Sequence, residues 1–293
     1  MALAAQSSEE EESMASSHNL PDKIRREYLP GLIQAFPFPV DLRPRWYAYR
    51  AVMANCLRLL PAGARILDFG AGSCDKAAML SRIGYRCTAV DDLQDDWHRI
   101  GANRERLRSF ARSQHIDLIV ADHLPAQLAH ATFDMVMLHD VIEHFADSPR
   151  SLLLDLIGLL RAGGYLYITV PNAVNLRKRL MVLSGRTNYP RLPAYFWSGP
   201  SWRGHKREYV KDDLALLCQY LGLQQVLLQG QHHRLNAIPS AVRSLYVHTV
   251  GRIDSLRDTL AMIGRKPSDW SAPELTEDQH KAIRQKEVAY ELA

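Results

Sequence analysis

Two short polar segments stand out for chemistry. The first is His139-Asp140-Val141-Ile142-Glu143-His144, and the second is Gly204-His205-Lys206-Arg207-Glu208-Tyr209. A helix begun near Asp140 would put Asp140 and His144 on one face at i and i+4, with Glu143 beside them. An imidazole with a reference pKa near ~6.5 can take a proton from a hydroxyl at neutral pH. His144 is therefore read as a general base, with Asp140, His205 and Glu208 completing the catalytic set. An equally simple reading makes His144 a wall of a ligand pocket. The same side chains also suit a hard or borderline divalent cation such as magnesium, held by Asp140, His144 and His205. Between the two segments lies an aromatic stretch with Tyr195, Trp197 and Trp202. Aromatic planes stack on the apolar faces of sugar rings while polar ends satisfy hydroxyls, so Tyr195, Trp197, Trp202, Arg207 and Tyr209 are read as substrate-binding. Packing of the tryptophans on one another is the plain alternative.

These residues need a scaffold, and ILDFGAGSCDKAAML at 66–80 supplies it. Ile66 and Leu67 read as buried strand, Gly70 and Gly72 as a tight turn, and Asp75 onward as helix. A strand running through glycines into a helix cradles nucleotides in open α/β sheets. The third glycine of a dinucleotide fingerprint is absent, with Asp75 in its place. About 20 residues on, Asp91 closes the next strand, where a carboxylate can accept from a ribose diol. The pattern Asp68-x-Gly70-x-Gly72, Asp91, FDMVMLHDVIEHF and LLRAGGYLYITVPN, in this order, resembles the class I S-adenosylmethionine-dependent methyltransferases over residues 60–250. A plain NAD-binding Rossmann-like domain is the competing reading.

The resemblance implies an α/β, Rossmann-like, seven-stranded, mostly parallel sheet. It implies S-adenosyl-L-methionine on Asp68, Gly70, Gly72 and Asp91, with Asp122 and His123 bordering the adenine and His139 on the cofactor side. Many such proteins carry a hydrophobic-Glu-His element that shapes the cofactor pocket whatever the acceptor. Gly-His-x-Arg-Glu-Tyr segments are similar to those of bacterial glycan and small-molecule O-methyltransferases. The expected activity is thus O-methylation of a saccharide hydroxyl in bacterial glycan, glycolipid or polysaccharide biosynthesis. The alternative acceptor is a phenolic, quinone-like or polyketide-like small molecule. A non-catalytic cofactor-binding partner subunit is the reading from another class.

The whole chain bounds these readings. Its 293 residues, 47% hydrophobic, allow one large elaborated domain. The net charge of +4 includes four glutamates at 9–12, and no Lys/Arg run argues for nucleic acid. Cys56, Cys74, Cys87 and Cys218 lack metal-ligand spacing and fit buried thiols in a reducing cytoplasm. No 18-residue apolar run predicts a membrane span. The expected layout is a disordered acidic tail at 1–19, a helical cap at 20–60, the methyltransferase domain at 61–265 and a helical extension at 266–293. A lid-like insertion after the fifth strand occupies 184–205. Ser244–Val250 is expected to be a closing strand, Arg252–Ile263 a helix, and Asp96–Arg112 one helix. Thr276 and Gln279 predict the cap of a last helix that packs on the domain or on a second copy in a homodimer.

Overall fold

The continuous apolar run Ile66-Leu67 of β1 (Arg65–Phe69) lies at the centre of a seven-stranded sheet. The computed structural model describes residues 22–128, 132–187, 189–199, 202–232, 235 and 238–291, so the expected tail at 1–19 lies outside them. The other strands are β2 (Arg86–Asp91), β3 (Asp117–Val120), β4 (Phe133–His139), β5 (Leu160–Pro171), β6 (Gln224–Gln231) and β7 (Thr259–Arg265). Their order is β3-β2-β1-β4-β5-β7-β6. The first five run parallel, and β7 is antiparallel to both β5 and β6. Strand order reverses between β1 and β4, and ligands of open α/β sheets bind outside the strand ends at such a point.

Alternating side chains divide the core into two layers, as a sheet covered on both faces requires. Ile66, Met135, Met137 and Tyr167 face one layer, with α2 (Trp46–Leu59) and α3 (Asp75–Arg82). Leu67, Val136, Leu138, Leu166 and Ile168 face the other, with α6 (Arg150–Gly158) and α9 (Lys211–Tyr220). Helix α1 spans residues 22–35 and adds Ile24, Leu29 and Leu32 to the first layer. All four cysteines are buried free thiols.

Several local expectations are corrected. Gly101 at φ +52° lies between two helices, so Asp96–Arg112 divides into α4 (Asp96–Arg99) and α5 (Asn103–Ser113). The expected strand at Ser244–Val250 lies mainly in α10 (Ser240–His248). The expected helix at Arg252–Ile263 is two short 3-10 turns leading into β7. A fully buried apolar run such as Leu260-Ala261-Met262-Ile263 has no period that separates strand from helix. No α-helix starts at Asp140, which has a left-handed backbone at φ +59° followed by a 3-10 turn at Ile142–His144.

After β5 come α7 (Leu176–Leu183), capped by the Asn175 side chain, and the insertion with the short α8 (Leu192–Phe196). The cap of α11 (Glu277–Glu291) forms as expected: the Thr276 N–H donates to Gln279 Oε1 at 2.9 Å, and the Gln279 N–H donates to Thr276 Oγ1 at 3.3 Å. Residues 277–286 of that helix are exposed and do not pack on the domain. Among the described residues no helix is long and apolar enough to cross a membrane.

Candidate active site

The turn after β1 is shaped by close approach. Gly70, at φ +71°, donates its N–H to Val90 O at 2.8 Å, and a Cβ there would meet Val141 Cγ2 at 2.6 Å. Gly72, at φ +53°, faces open space, with no atom within 4 Å of a built Cβ. Its N–H donates to Asp91 Oδ2 at 2.8 Å, and the Leu93 N–H donates to Asp91 Oδ1 at 2.8 Å. The end of β2 is therefore tied to the glycine turn through the Asp91 carboxylate. Below the turn, Asp68 is only 2% exposed. Burial pushes its carboxyl up to about 7, against the pull of Lys76 and with the charges of Asp75 and Asp91 adding to the rise.

Asp75, where a third glycine would stand, has a different task. It accepts from the Tyr49 hydroxyl at 2.5 Å, the Arg45 guanidinium at 2.8 Å and the Ser73 hydroxyl at 2.8 Å. Burial opposes its charge, yet Lys76, Arg45 and Tyr49 outweigh that and hold the carboxyl down at about 2. This cluster fastens α2 over the start of α3. Sequence reasoning left it out, although an acid replacing a glycine was its visible signal. Asp122 and His123 follow β3, pair with each other at 2.5 Å and are largely exposed. His139 is buried, with Nδ1 2.9 Å from Thr169 Oγ1 and its ring against Tyr167.

The two polar segments meet through the main chain. The Lys206 and Arg207 N–H groups both donate to Glu143 O, at 2.7 and 3.2 Å. His144 and His205 are thereby brought to a ring separation of 5.0 Å. His144 Nδ1 lies 2.7 Å from Arg203 O, and its Nε2 faces Glu143 Oε1 at 4.0 Å. A carbonyl only accepts, so Nδ1 carries the proton and Nε2 the lone pair. Burial lowers the His144 pKa. His205 Nδ1 lies 2.9 Å from Glu208 Oε1, and the other oxygen of Glu208 pairs with the buried Lys178 of α7.

Glu143 is fully buried, and neither carboxyl oxygen has a hydrogen-bond partner among the described residues. Burial, with the nearby charge of Asp140, raises its pKa to about 8. Glu143, His144 and His205 each offer a ligand atom within 4.8 Å of the others. Two imidazoles, one carboxylate and an unsatisfied buried oxygen pair make a donor set that fits a divalent cation. Asp140 is not one of these three; its carboxylate is 4.0 Å from Lys76 Nζ. Neither Glu143 nor Lys178 was singled out as a site residue from the sequence. Only the apolar flanks of Glu143 hinted at its burial.

A cleft of about 820 Å³ opens beside this group. Asp140, Glu143, His205 and Glu208 line its polar end. Leu176, Leu180 and Met181 from α7, Leu235, Ile238, and Tyr246 from α10 form an apolar wall. The residues expected to bind a sugar do not line it. Trp197 is 81% exposed, and Tyr195 packs edge-on against Trp202, whose ring also meets Lys206 and Gly204. Tyr209 is buried in the core with its hydroxyl toward Ile142 O, and Arg207 is an exposed partner of Asp213.

The turn, the strand-end acid and the strand order define a class I methyltransferase fold, and comparison with known proteins agrees. Residues 44–228 match the family described as Methyltransferase domain, and the chain belongs to that family. Its cofactor is S-adenosylmethionine. The ubiquinone biosynthesis O-methyltransferase of Xanthomonas axonopodis pv. citri is 30% identical over 170 residues, 57% of this chain and 65% of the relative. The enzyme of the same name from Xanthomonas euvesicatoria pv. vesicatoria is 29% identical over the same shares. The chain thus matches less than two thirds of the length of these relatives. A solved Haloferax volcanii complex of the Trm112 methyltransferase activator and a methyltransferase shares the fold. Its TM-score is 0.51 at 15% identity, covering 77% of this chain and 92% of that one. The saccharide acceptor, and with it a role in polysaccharide biosynthesis, is corrected by the likeness to quinone-type O-methyltransferases. Leu180, Met181 and Ile238 give the cleft an apolar wall, beside the polar side chains of Asn175, Arg186 and Asp258.

Proposed function

We propose that the protein is an S-adenosylmethionine-dependent O-methyltransferase whose acceptor is a phenolic small molecule of the quinone-precursor type. The observation that carries this reading is the cleft, which joins the buried Glu143 carboxyl and the His205 imidazole at one end to an apolar wall at the other. The relatives named for ubiquinone biosynthesis support the same acceptor class.

Asp91, Gly70 and Gly72 would hold the cofactor, with Asp68 beneath its charged amino-acid end. Bound there, S-adenosylmethionine supplies an electrophilic methyl group, which a phenolate oxygen takes up as the carbon–sulfur bond breaks. The acceptor's apolar body lies along α7 and α10, and its hydroxyl meets the polar end. His144 receives the hydroxyl proton at Nε2, because Nδ1 is committed to Arg203 O. Burial keeps the ring neutral at physiological pH, ready to accept. Glu208, tied to Lys178, orients His205 beside it. A divalent cation held by Glu143, His144 and His205 would occupy the same Nε2 lone pair and so replace His144 as base, supplying Lewis acidity that favours an ionised phenol.

Mass spectrometry of products tests the proposal. Purified protein with S-adenosylmethionine is incubated with a panel of catechols and hydroquinones carrying apolar side chains, and with simple saccharides. Methyl ethers of the phenols alone are expected; methylation confined to the saccharides would overturn the acceptor class.

A further inference from the structure

Arg203 touches both halves of the site. Its guanidinium donates to Asp92 through Nη1 at 2.9 Å and Nη2 at 3.1 Å, and to Asp95 Oδ1 through Nε at 2.7 Å. Asp92 directly follows Asp91, whose carboxylate is bound to the glycine turn. The main-chain carbonyl of Arg203 accepts from His144 Nδ1 at 2.7 Å. One residue of the insertion therefore grips the loop after β2 with its side chain and sets the acceptor-side imidazole with its backbone.

We propose that Arg203 is a positioning residue that couples the cofactor loop to the His144 ring. With the guanidinium seated between Asp92 and Asp95, Arg203 O is fixed where it holds His144 in the Nδ1–H tautomer, with Nε2 4.0 Å from Glu143 Oε1. With that seat lost, the segment entering Gly204 is free to shift, and the ring loses its hydrogen bond to Arg203 O. The fork geometry matters: a lysine is a point charge and cannot span both carboxylates. The contact is partly exposed, so it adds little to stability and can open to pass ligand. Ligand on the Asp91 side then favours the closed seat, and the seat in turn slows ligand departure. The role assigned to His144 rests on the function proposed above; the coupling itself does not.

The experiment compares the full-length parent with Arg203→Ala, Arg203→Lys and Asp92→Asn. Two readouts need no turnover. Stopped-flow tryptophan fluorescence follows dissociation of S-adenosylhomocysteine, and ¹⁵N resonances of the His144 ring report its tautomer. Dissociation about 5- to 150-fold faster in Arg203→Ala, the range of ordinary site coupling, is expected together with a mixed tautomer. Arg203→Lys should fall between, and Arg203→Ala combined with Asp92→Asn should add little to either alone. Unchanged dissociation and tautomer in Arg203→Ala and in Asp92→Asn would overturn the coupling. If the parent methylates no phenol while Arg203→Ala still releases the product faster, the coupling stands and the function proposed above fails.

Discussion

Asp68 sits under the glycine turn with its carboxyl raised to about 7 by burial, so it holds a proton where an ordinary aspartate would not. A cofactor ammonium beside it would favour the ionised form. Binding then releases a proton below that pKa, and affinity should rise with pH over roughly pH 5.5 to 7.5 before levelling. Calorimetry in two buffers of different ionisation heat should detect the released proton, and Asp68→Asn should abolish both the release and the pH slope. A parent with no slope would separate Asp68 from the ligand. Glu208 offers a second check. Glu208→Gln leaves the buried Lys178 charge without its carboxylate partner, and loss of one member of a buried pair costs roughly 3 to 5 kcal/mol. Denaturant unfolding should show that loss, and Lys178→Met combined with Glu208→Gln should recover much of it. At this scale the sequence was legible where a residue's task follows from its place at a strand end, as for Gly70, Gly72 and Asp91. It was not legible for Glu143, because only the crossing of the 204–207 segment over its carbonyl shows what its side chain faces.

Among the elements, α2 and α3 are joined by the Asp75 cluster, and that joint carries its own pH signature. The folded Asp75 carboxyl is held at about 2, below the ordinary 3.8. Its contribution is therefore complete above about pH 4 and is lost as pH falls through about 2. Asp75→Asn should lower stability at neutral pH by on the order of 3 kcal/mol, and the gap to the parent should narrow as the pH approaches 2. Thermal unfolding across that range is the measurement, and a gap independent of pH would place the cluster's strength elsewhere. Elements with clear signals were readable in advance: the strand and turn at 65–72, and the Thr276 cap of α11. The edge of the sheet was not. The run 259–263 is buried on all sides and has no period, while 240–248 carries strand-forming residues in a helix whose Val242 and Leu245 are exposed. Asp140 misled for a different reason: its left-handed backbone ends β4 sharply, and an i to i+4 spacing assumes a helix that does not form.

In the molecule as a whole, the strand reversal between β1 and β4 puts the glycine turn and the cleft proposed for the acceptor on one edge of the sheet. Aromatic residues in the insertion suggested a sugar platform from composition alone. Tyr195 and Trp202 pack edge-on, Trp197 is exposed, and none of the three lines the cleft, whose apolar wall comes from α7 and α10. That contrast could not be drawn from the sequence, because both walls depend on how distant segments fold together. Transfer of the methyl group to a phenol at this cleft is the central claim. A single-turnover experiment tests it most directly: protein is loaded with S-adenosylmethionine bearing a CD3 group, mixed with an apolar-substituted catechol, quenched and analysed by mass. The parent should yield a CD3 ether of the phenol in amount equal to its active sites. His144→Ala should form it about 10²- to 10⁴-fold more slowly while binding the cofactor within a few-fold of the parent. A parent that binds the cofactor yet forms no labelled ether, or a variant as fast as the parent, would contradict it.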